Sequence, residues 1–314
     1  MKKVKVAVVG YGHLGRWHAQ KAENLESAEL VAIVEAFPEN QSKAKEAHPN
    51  TKIVSDISEI VNDIDAAVIV TPTSTHFKLA QDLLKSGKHV FCEKPLCSTY
   101  EETIRLKDSL QDQVLQVGHS ERCHEAWEIL QDEIAKINSR KMIKLTRYAP
   151  FKGRATDVDV VQDLMIHDID LMLYLFKSKP IRVSSLGHKI RTQNFDHVTS
   201  HFYLENGDEV IITSGRNHVQ EVRALEVMSN SGCLYVDLFA NKIFRGTNSQ
   251  FEDGSFVKEQ DYTKRDHLLI EHESFYSAIL DKSKPMVTYE DGVNAVYFVS
   301  KVIESLNSGK TIEL

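Results

Sequence analysis

The feature that most constrains this chain is its opening, where a run of apolar, mostly β-branched residues from Val4 to Val9 stops at Gly10-Tyr11-Gly12-His13-Leu14-Gly15. A strand that is apolar on both faces belongs inside a parallel sheet covered on both sides. Glycines in the spacing G-x-G-x-x-G between such a strand and a helix each have a separate task. Gly10 permits the tight turn, Gly12 lets the backbone approach a pyrophosphate, and Gly15 allows the helix to pack close to the strand. The helix expected from Leu14 to about Leu25 would then aim its N-terminal N–H groups at phosphate charge. Gly10, Gly12, His13, Leu14 and Gly15 are therefore the expected phosphate loop of a bound dinucleotide.

Strand-like and helix-like segments keep alternating after this loop. Strands are expected at Glu29–Val34, Ile53–Val54, Ala66–Val70, His89–Cys92 and Val114–Val117, with helices at Lys43–His48, His76–Lys85 and Glu101–Leu110 between them. Such alternation predicts βαβ units and a doubly wound parallel sheet of Rossmann type. Glu35, closing the second strand, stands where a carboxylate accepts hydrogen bonds from the adenosine ribose. No Lys or Arg follows before Lys43, so a 2′-phosphate would meet like charge without a guanidinium, and NAD is the expected cofactor rather than NADP.

At 314 residues the chain exceeds the usual size of one domain, and its character changes at Gly118-His119. Residues 1–118 are read as the dinucleotide domain and 119–314 as a second, α+β domain for substrate and oligomerisation, its C-terminal helix packing back toward the first. Helices are expected at His124–Lys136 and Val161–Phe176, and at Glu271–Leu280 and Asp291–Leu306 near the end, the last capped by Asp291. Met142–Tyr148, Ile181–Gly187, Val198–Leu204, Glu209–Ser214 and Arg223–Ser229 alternate apolar with polar residues and are separated by turns such as Asn206-Gly207. That is the pattern of a large, mostly antiparallel, open sheet.

With 42% hydrophobic and 26% charged residues, the composition is that of a folded protein. A net charge of −7 without basic runs argues against nucleic acid or an anionic membrane as partner and favours a small molecule. No apolar stretch approaches the roughly 20 residues of a membrane span. The N-terminal apolar run is too short for a leader and reads as a strand. Cys92, Cys97, Cys123 and Cys233 have neither zinc-site nor disulfide-framework spacing, and a reducing cytoplasm suits them.

Glu93-Lys94-Pro95 ends the fifth expected strand, and open α/β sheets bind ligands at the carboxyl ends of their strands. Lys94 there can hold a substrate hydroxyl and the alkoxide it becomes. Asp163 and His167, spaced i and i+4, share a helix face, which suits a histidine base with an aspartate that orients it or binds substrate. Alone, each has a plainer reading: Lys94 as a turn lysine, Asp163 as a helix cap, His167 as a satisfied helix histidine. Asp168 and Asp170 extend the acidic cluster but point to other faces, so no metal is expected.

Taken together these residues make the chain resemble the Gfo/Idh/MocA oxidoreductases. The resemblance rests on Gly10 to Gly15, Thr71-Pro72 with His76, Glu93-Lys94-Pro95, the Asp163-x-x-x-His167-x-x-Asp170 helix, and the closing Tyr289-Glu290-Asp291-Gly292 helix with Thr311 to Leu314. It implies an active site lined by Lys94, Asp163 and His167, with His167 as acid/base. It further implies that Thr71, Pro72, His76, Glu93 and Pro95 border the dinucleotide, and that the large sheet mediates a homodimer or homotetramer. Where many members carry a Gly-Gly pair ahead of the helix aspartate, this chain has Val160-Val161-Gln162.

The run from Gly153 through Asp163 to Asp168 is similar to the branch that oxidises the 3-hydroxyl of UDP-N-acetylglucosamine. Such a substrate calls for cations near its diphosphate, and Arg122, Lys152 and Arg154 are the candidates, with ordinary surface charge as the alternative. Two other functions are carried beside this one. One is an inositol, other cyclitol or dihydrodiol dehydrogenase using the same three residues, and the other is a non-catalytic NAD-binding regulator.

Overall fold

Burial along the first strand decides the layering of the first sheet in the computed structural model, which describes residues 2–153 and 158–314. Strand β1 (Val4–Val9) sends Val4, Val6 and Val8 into one hydrophobic cluster and Ala7 and Val9 into another, so both faces are covered. It lies within a six-stranded sheet with β2 (Ala28–Val34), β3 (Lys52–Val54), β4 (Ala66–Ile69), β5 (His89–Glu93) and β6 (Leu115–Gly118). The order is β3-β2-β1-β4-β5-β6 and every pairing is parallel, which is the doubly wound dinucleotide topology.

Helices α1 (Gly15–Asn24) and α2 (Pro38–Ala47) bury Ala19, Ala22 and Ala44 on one face of this sheet. Helices α3 (His76–Lys85) and α4 (Tyr100–Leu106) bury Ala80, Leu83, Leu84 and Leu106 on the other. Helix α2 begins at Pro38, ahead of the expected Lys43. A proline in the first turn is itself a start signal, since its missing N–H has no helical partner there.

The chain forms two units, Met1–Ser120 with Asp266–Val296 and Glu121–Arg265 with Tyr297–Leu314. The sequence reading places everything after residue 118 in the second domain, whereas in the structure Asp266–Val296 rejoins the first. The physical reason lies in the helix written later in the chain as His267–Asp281. Its Phe275 and Tyr276 complete the cluster around Val6, Val8 and Phe91, and the carbonyl of its Glu271 accepts the Gln116 side-chain N–H at 2.8 Å.

The second unit opens with α5 (Glu125–Ala135) and β7 (Met142–Tyr148) and continues through a π-helical turn, Val161–Met165, into α6 (Ile166–Leu175). Then come β8 (Pro180–His188), β9 (His197–Leu204), β10 (Glu209–Gly215), β11 (Val222–Ser229), β12 (Gly232–Asp237), β13 (Lys242–Thr247) and β14 (Val257–Asp261). After α7 (His267–Asp281) and α8 (Tyr289–Ser308), β15 (Ile312–Glu313) closes the sheet. The nine strands run β14-β13-β12-β11-β7-β10-β9-β8-β15; β7 and β10 pair parallel and the other neighbours antiparallel.

Strand β9 alternates strictly, with Val198, Ser200, Phe202 and Leu204 buried and the residues between them half-buried. Helix α6 packs on β7 and β10, and this covers one sheet face. Asn206-Gly207 forms the expected β9–β10 turn, with Gly207 at φ +86° where a side chain would be strained. Helix α8 starts at Tyr289 rather than at an Asp291 cap. Thr288 precedes it, and the Thr288 N–H donates to Asp291 Oδ2 at 2.8 Å while the Asp291 N–H donates back to Thr288 Oγ1 at 3.3 Å. Among the described residues no helix is long and apolar enough to cross a membrane.

Candidate functional site

In the first unit, the glycine loop is shaped by contacts that leave no room for side chains. A Cβ on Gly10 would lie 2.7 Å from the Val70 carbonyl oxygen and 3.0 Å from Thr71 Cγ2, and one on Gly15 would lie 2.0 Å from the Gly10 carbonyl oxygen. Gly12 differs, with nothing within 4 Å of its Cβ position, so its backbone faces open space where a pyrophosphate can approach. Helix α1 has no side-chain N-cap and no acidic residue in its first turn, so its N–H groups remain suited to an anion. His13 and Leu14 are exposed beside it, His13 Nδ1 lying 3.3 Å from Arg16 Nη2.

Glu35 is buried at the end of β2. Its Oε2 accepts the Tyr11 N–H at 2.8 Å and its Oε1 the Phe37 N–H at 2.9 Å, so it ties the glycine loop to β2. A carboxylate has about four acceptor positions, which leaves capacity for ribose hydroxyls. The nearest sequence cation, Lys43, pairs with exposed Glu39. These residues fit NAD.

Thr71 and Pro72 follow β4, with Thr71 Oγ1 2.6 Å from Thr75 Oγ1. His76 is buried, its Nδ1 2.9 Å from the Pro95 carbonyl oxygen and its Nε2 2.9 Å from that of Thr71. Both ring nitrogens lie within hydrogen-bond distance of backbone carbonyls, so His76 ties the segments after β4 and β5 together. Lys94 and Pro95 follow β5, half-buried and joined by a cis peptide bond. Glu93 Oε2 accepts the Lys94 N–H at 3.2 Å, and its Oε1 lies 3.0 Å from His18 Nε2. Burial alone would raise the Glu93 carboxyl, but His18 and Lys94 outweigh it and hold the group below the usual carboxylate range.

In the second unit, Asp163 sits in the π-helical turn and His167 just beyond it on α6, both half-buried. A uniform α-helix is expected here; the single π turn at Asp163 is a departure of the kind often found at functional positions. Asp163 lines an open cleft with Arg147, Lys152, Arg216, Glu221 and Arg223. The cations of this cleft are matched by carboxylates. Arg147 grips Asp168 at 3.0 and 2.9 Å and Glu121 at 2.9 Å, Arg216 bonds Asp196 at 2.8 Å, Arg223 reaches Glu121 at 3.2 Å, and Lys152 pairs with Glu221.

Glu121 is fully enclosed, which by itself raises its carboxyl. Arg147, the hydrogen bond with His124, and the charges of His167 and Arg223 bring it well below the usual range. Arg122 is corrected by the structure. It is buried and grips Asp170 with two bonds of 2.8 and 2.6 Å, so its fork is used inside the fold and is not offered to a diphosphate. Lys152 keeps half its side chain exposed at the cleft. Arg154 lies outside the described residues.

Residues 4–119 match the model of an oxidoreductase family with an NAD-binding Rossmann fold, and residues 143–235 match the GFO/IDH/MocA C-terminal domain. UDP-N-acetylglucosamine 3-dehydrogenase of Acidithiobacillus ferrooxidans is 33% identical over 287 residues, 89% of this chain and 90% of that protein. The chain belongs to the Gfo/Idh/MocA oxidoreductase family. A crystal structure of the Acidithiobacillus enzyme superposes with a TM-score of 0.88 at 29% identity, covering 98% of this chain and 99% of that one. Inositol 2-dehydrogenase of Rhizobium meliloti is 27% identical over 230 residues, 68% of this chain and 69% of that protein.

In this Gfo/Idh/MocA chain, local motifs mark candidate site residues but not the distant partners that hold them. Arg147 is the instructive omission. It occupies an inward position of β7 beside Ile143 and Leu145, where a charge signals a buried partner. His18, His272 and Tyr276, which reach Glu93 in sequence, are also missed. Their signal is weaker: a histidine three residues past Gly15, and a His/Tyr pair spaced i and i+4 on one face of an apolar helix.

Proposed function

We propose that this oxidoreductase is an NAD-dependent dehydrogenase of nucleotide sugars that oxidises the 3-hydroxyl of UDP-N-acetylglucosamine. The likeness to UDP-N-acetylglucosamine 3-dehydrogenase carries the reading, because it runs the length of both units instead of stopping at the dinucleotide domain. Glu35 supports NAD over NADP, since its buried carboxylate would repel a 2′-phosphate.

In this mechanism His167 accepts the hydroxyl proton while the hydrogen on the same carbon departs as hydride. The dinucleotide supplies the hydride acceptor. Lys94 donates to the substrate oxygen and balances the charge it gains, and Asp163 holds a neighbouring sugar hydroxyl from the wall of the cleft. Arg147 keeps the ionised Glu121 carboxylate in place, near enough to His167 for their charges to interact. Lys152 is the cation retained for the diphosphate, by exchanging Glu221 for phosphate. The oligomer is a homodimer or homotetramer formed through the open face of the nine-stranded sheet.

A second reading, an inositol or other cyclitol dehydrogenase, is favoured by one observation. The cleft's cations already face carboxylates, which suits an uncharged polyol. NADH formation with UDP-N-acetylglucosamine, other UDP-sugars, free amino sugars and inositols separates the two. UDP-N-acetylglucosamine is expected to give the highest kcat/KM, and His167→Ala and Lys94→Ala to lower kcat by about 10²–10⁴-fold. Turnover of inositols but not of UDP-sugars would replace the first reading with the second.

A further inference from the structure

Three polar side chains are sealed in the first unit among aromatic residues. His18 of α1 and His272 and Tyr276 of α7 have no exposed surface. Phe91 of β5 walls them in, its ring stacked on His272 at 5.7 Å and edge-on to His18 at 5.4 Å. Apolar side chains would fill such a space without any polar group to satisfy. Here the three form one line: Tyr276 Oη lies 3.0 Å from His272 Nδ1, His272 Nε2 lies 3.0 Å from His18 Nδ1, and His18 Nε2 lies 3.0 Å from Glu93 Oε1.

The chemistry of the end group sets the direction of the line. An ionised carboxylate only accepts, so His18 carries a proton on Nε2, and in the neutral ring its Nδ1 accepts. His272 must then donate from Nε2, and its Nδ1 accepts the Tyr276 hydroxyl. Burial above all holds His272 well below the ordinary histidine range, which keeps it neutral with one N–H. Tyr276 has no exposed surface, so the line carries no proton to solvent. What it can do is hold Glu93.

Glu93 is also held from its other sides. Its second oxygen takes the Lys94 N–H at 3.2 Å, and Gly118 leaves a slot in which a Cβ would lie 2.9 Å from Oε1. We propose that His272 and Tyr276 are positioning residues: acting through His18, they fix the Glu93 carboxylate, and with it the backbone of Lys94, at the ligand-facing end of β5. This rests on the reading that Lys94 serves the reacting end of the dinucleotide.

A glutamine at 272 puts its amide nitrogen near the place of histidine Nε2 and can still donate to His18, while an asparagine mimics Nδ1 and falls short. NADH titration of the full-length chain by fluorescence, without any sugar, reads the result together with thermal midpoints. His272→Gln is expected to bind NADH within about threefold of the unaltered protein and His272→Asn about tenfold more weakly, the size of one lost buried hydrogen bond, with similar midpoints for both. Equal weakening by the two would reduce His272 to a core filler and overturn the proposal, as would no change in either. If His272→Asn does not fold, Tyr276→Phe takes its place: NADH binding weakened by about threefold or more supports the line, and unchanged binding overturns it. Because no sugar is present, failure of the substrate assignment leaves this result standing, and the reverse also holds.

Discussion

Charges buried in the second unit survive because each has a geometrically matched partner. Asp196 is the clearest case. Its Oδ2 accepts the N–H groups of Ile190, Arg191 and Thr192 at 2.7, 2.6 and 2.9 Å, and its Oδ1 accepts Arg216 Nε at 2.8 Å. Burial pushes the carboxyl upward, but these donors outweigh it and leave the group far below its ordinary value. A depressed carboxyl stabilises the fold at every pH above its unfolded value, near 3.9, and that contribution disappears as pH falls through the folded one. Glu121 behaves in the same sense. Asp196→Asn is therefore expected to cost about 3–5 kcal/mol at neutral pH, since it strands Arg216 without its counter-charge. Urea unfolding at a series of pH values should show the gap to the unaltered protein intact down to about pH 4 and closing only as pH falls below it; a pH-independent gap would contradict this.

At the scale of elements, the strand–turn–helix from β1 to α1 separates two demands that the glycine motif merges. Gly10 and Gly15 serve the fold, because a side chain at either meets backbone oxygen, and Gly10 also sits at φ +96°. Gly12 has open space and serves the ligand. Gly15→Ala should lower stability by about 1–3 kcal/mol through overpacking. Gly12→Ala should leave the midpoint of the ligand-free protein within about 0.5 kcal/mol of its value while weakening NADH binding by about tenfold or more. Paired thermal melts and NADH titrations check both; a Gly12→Ala protein that binds NADH normally would place the pyrophosphate elsewhere.

At the scale of the molecule, the second sheet offers a face on which side chains alternate away from the core. Ile211 of β10 lies there between His201 of β9 and Lys144 of β7, with Leu186 of β8 and Met142 of β7 exposed on the same face. Apolar side chains among polar ones over so many strands are suited to an isologous contact with a second copy. Light scattering after gel filtration should give a mass of two or four chains, and Ile211→Asp should shift it to one chain with the thermal midpoint of the isolated unit preserved. A single-chain mass for the unaltered protein would remove the sheet from that role.

Local periodicity carried much of this protein. The buried run of β1, the strand–helix alternation after it and the alternation in β7 to β11 are properties of neighbouring residues, so the doubly wound sheet and the open antiparallel sheet could be read directly. The placing of Glu35 at the end of β2 and of Lys94 just after β5 was legible for the same reason. Strands β12 to β14 were not, because β14 is exposed along its whole length and gains its conformation from pairing with β13. The π turn at Asp163, the return of Asp266–Val296 to the first unit, the gripping of Arg122 by Asp170 and the line from Tyr276 to Glu93 likewise depend on partners far away in the chain. Sequence alone determined which faces had to be buried, since hydrophobic pattern is local. The tertiary structure decided which polar groups were buried with them, because each such group is tolerable only beside a partner that folding brings from elsewhere.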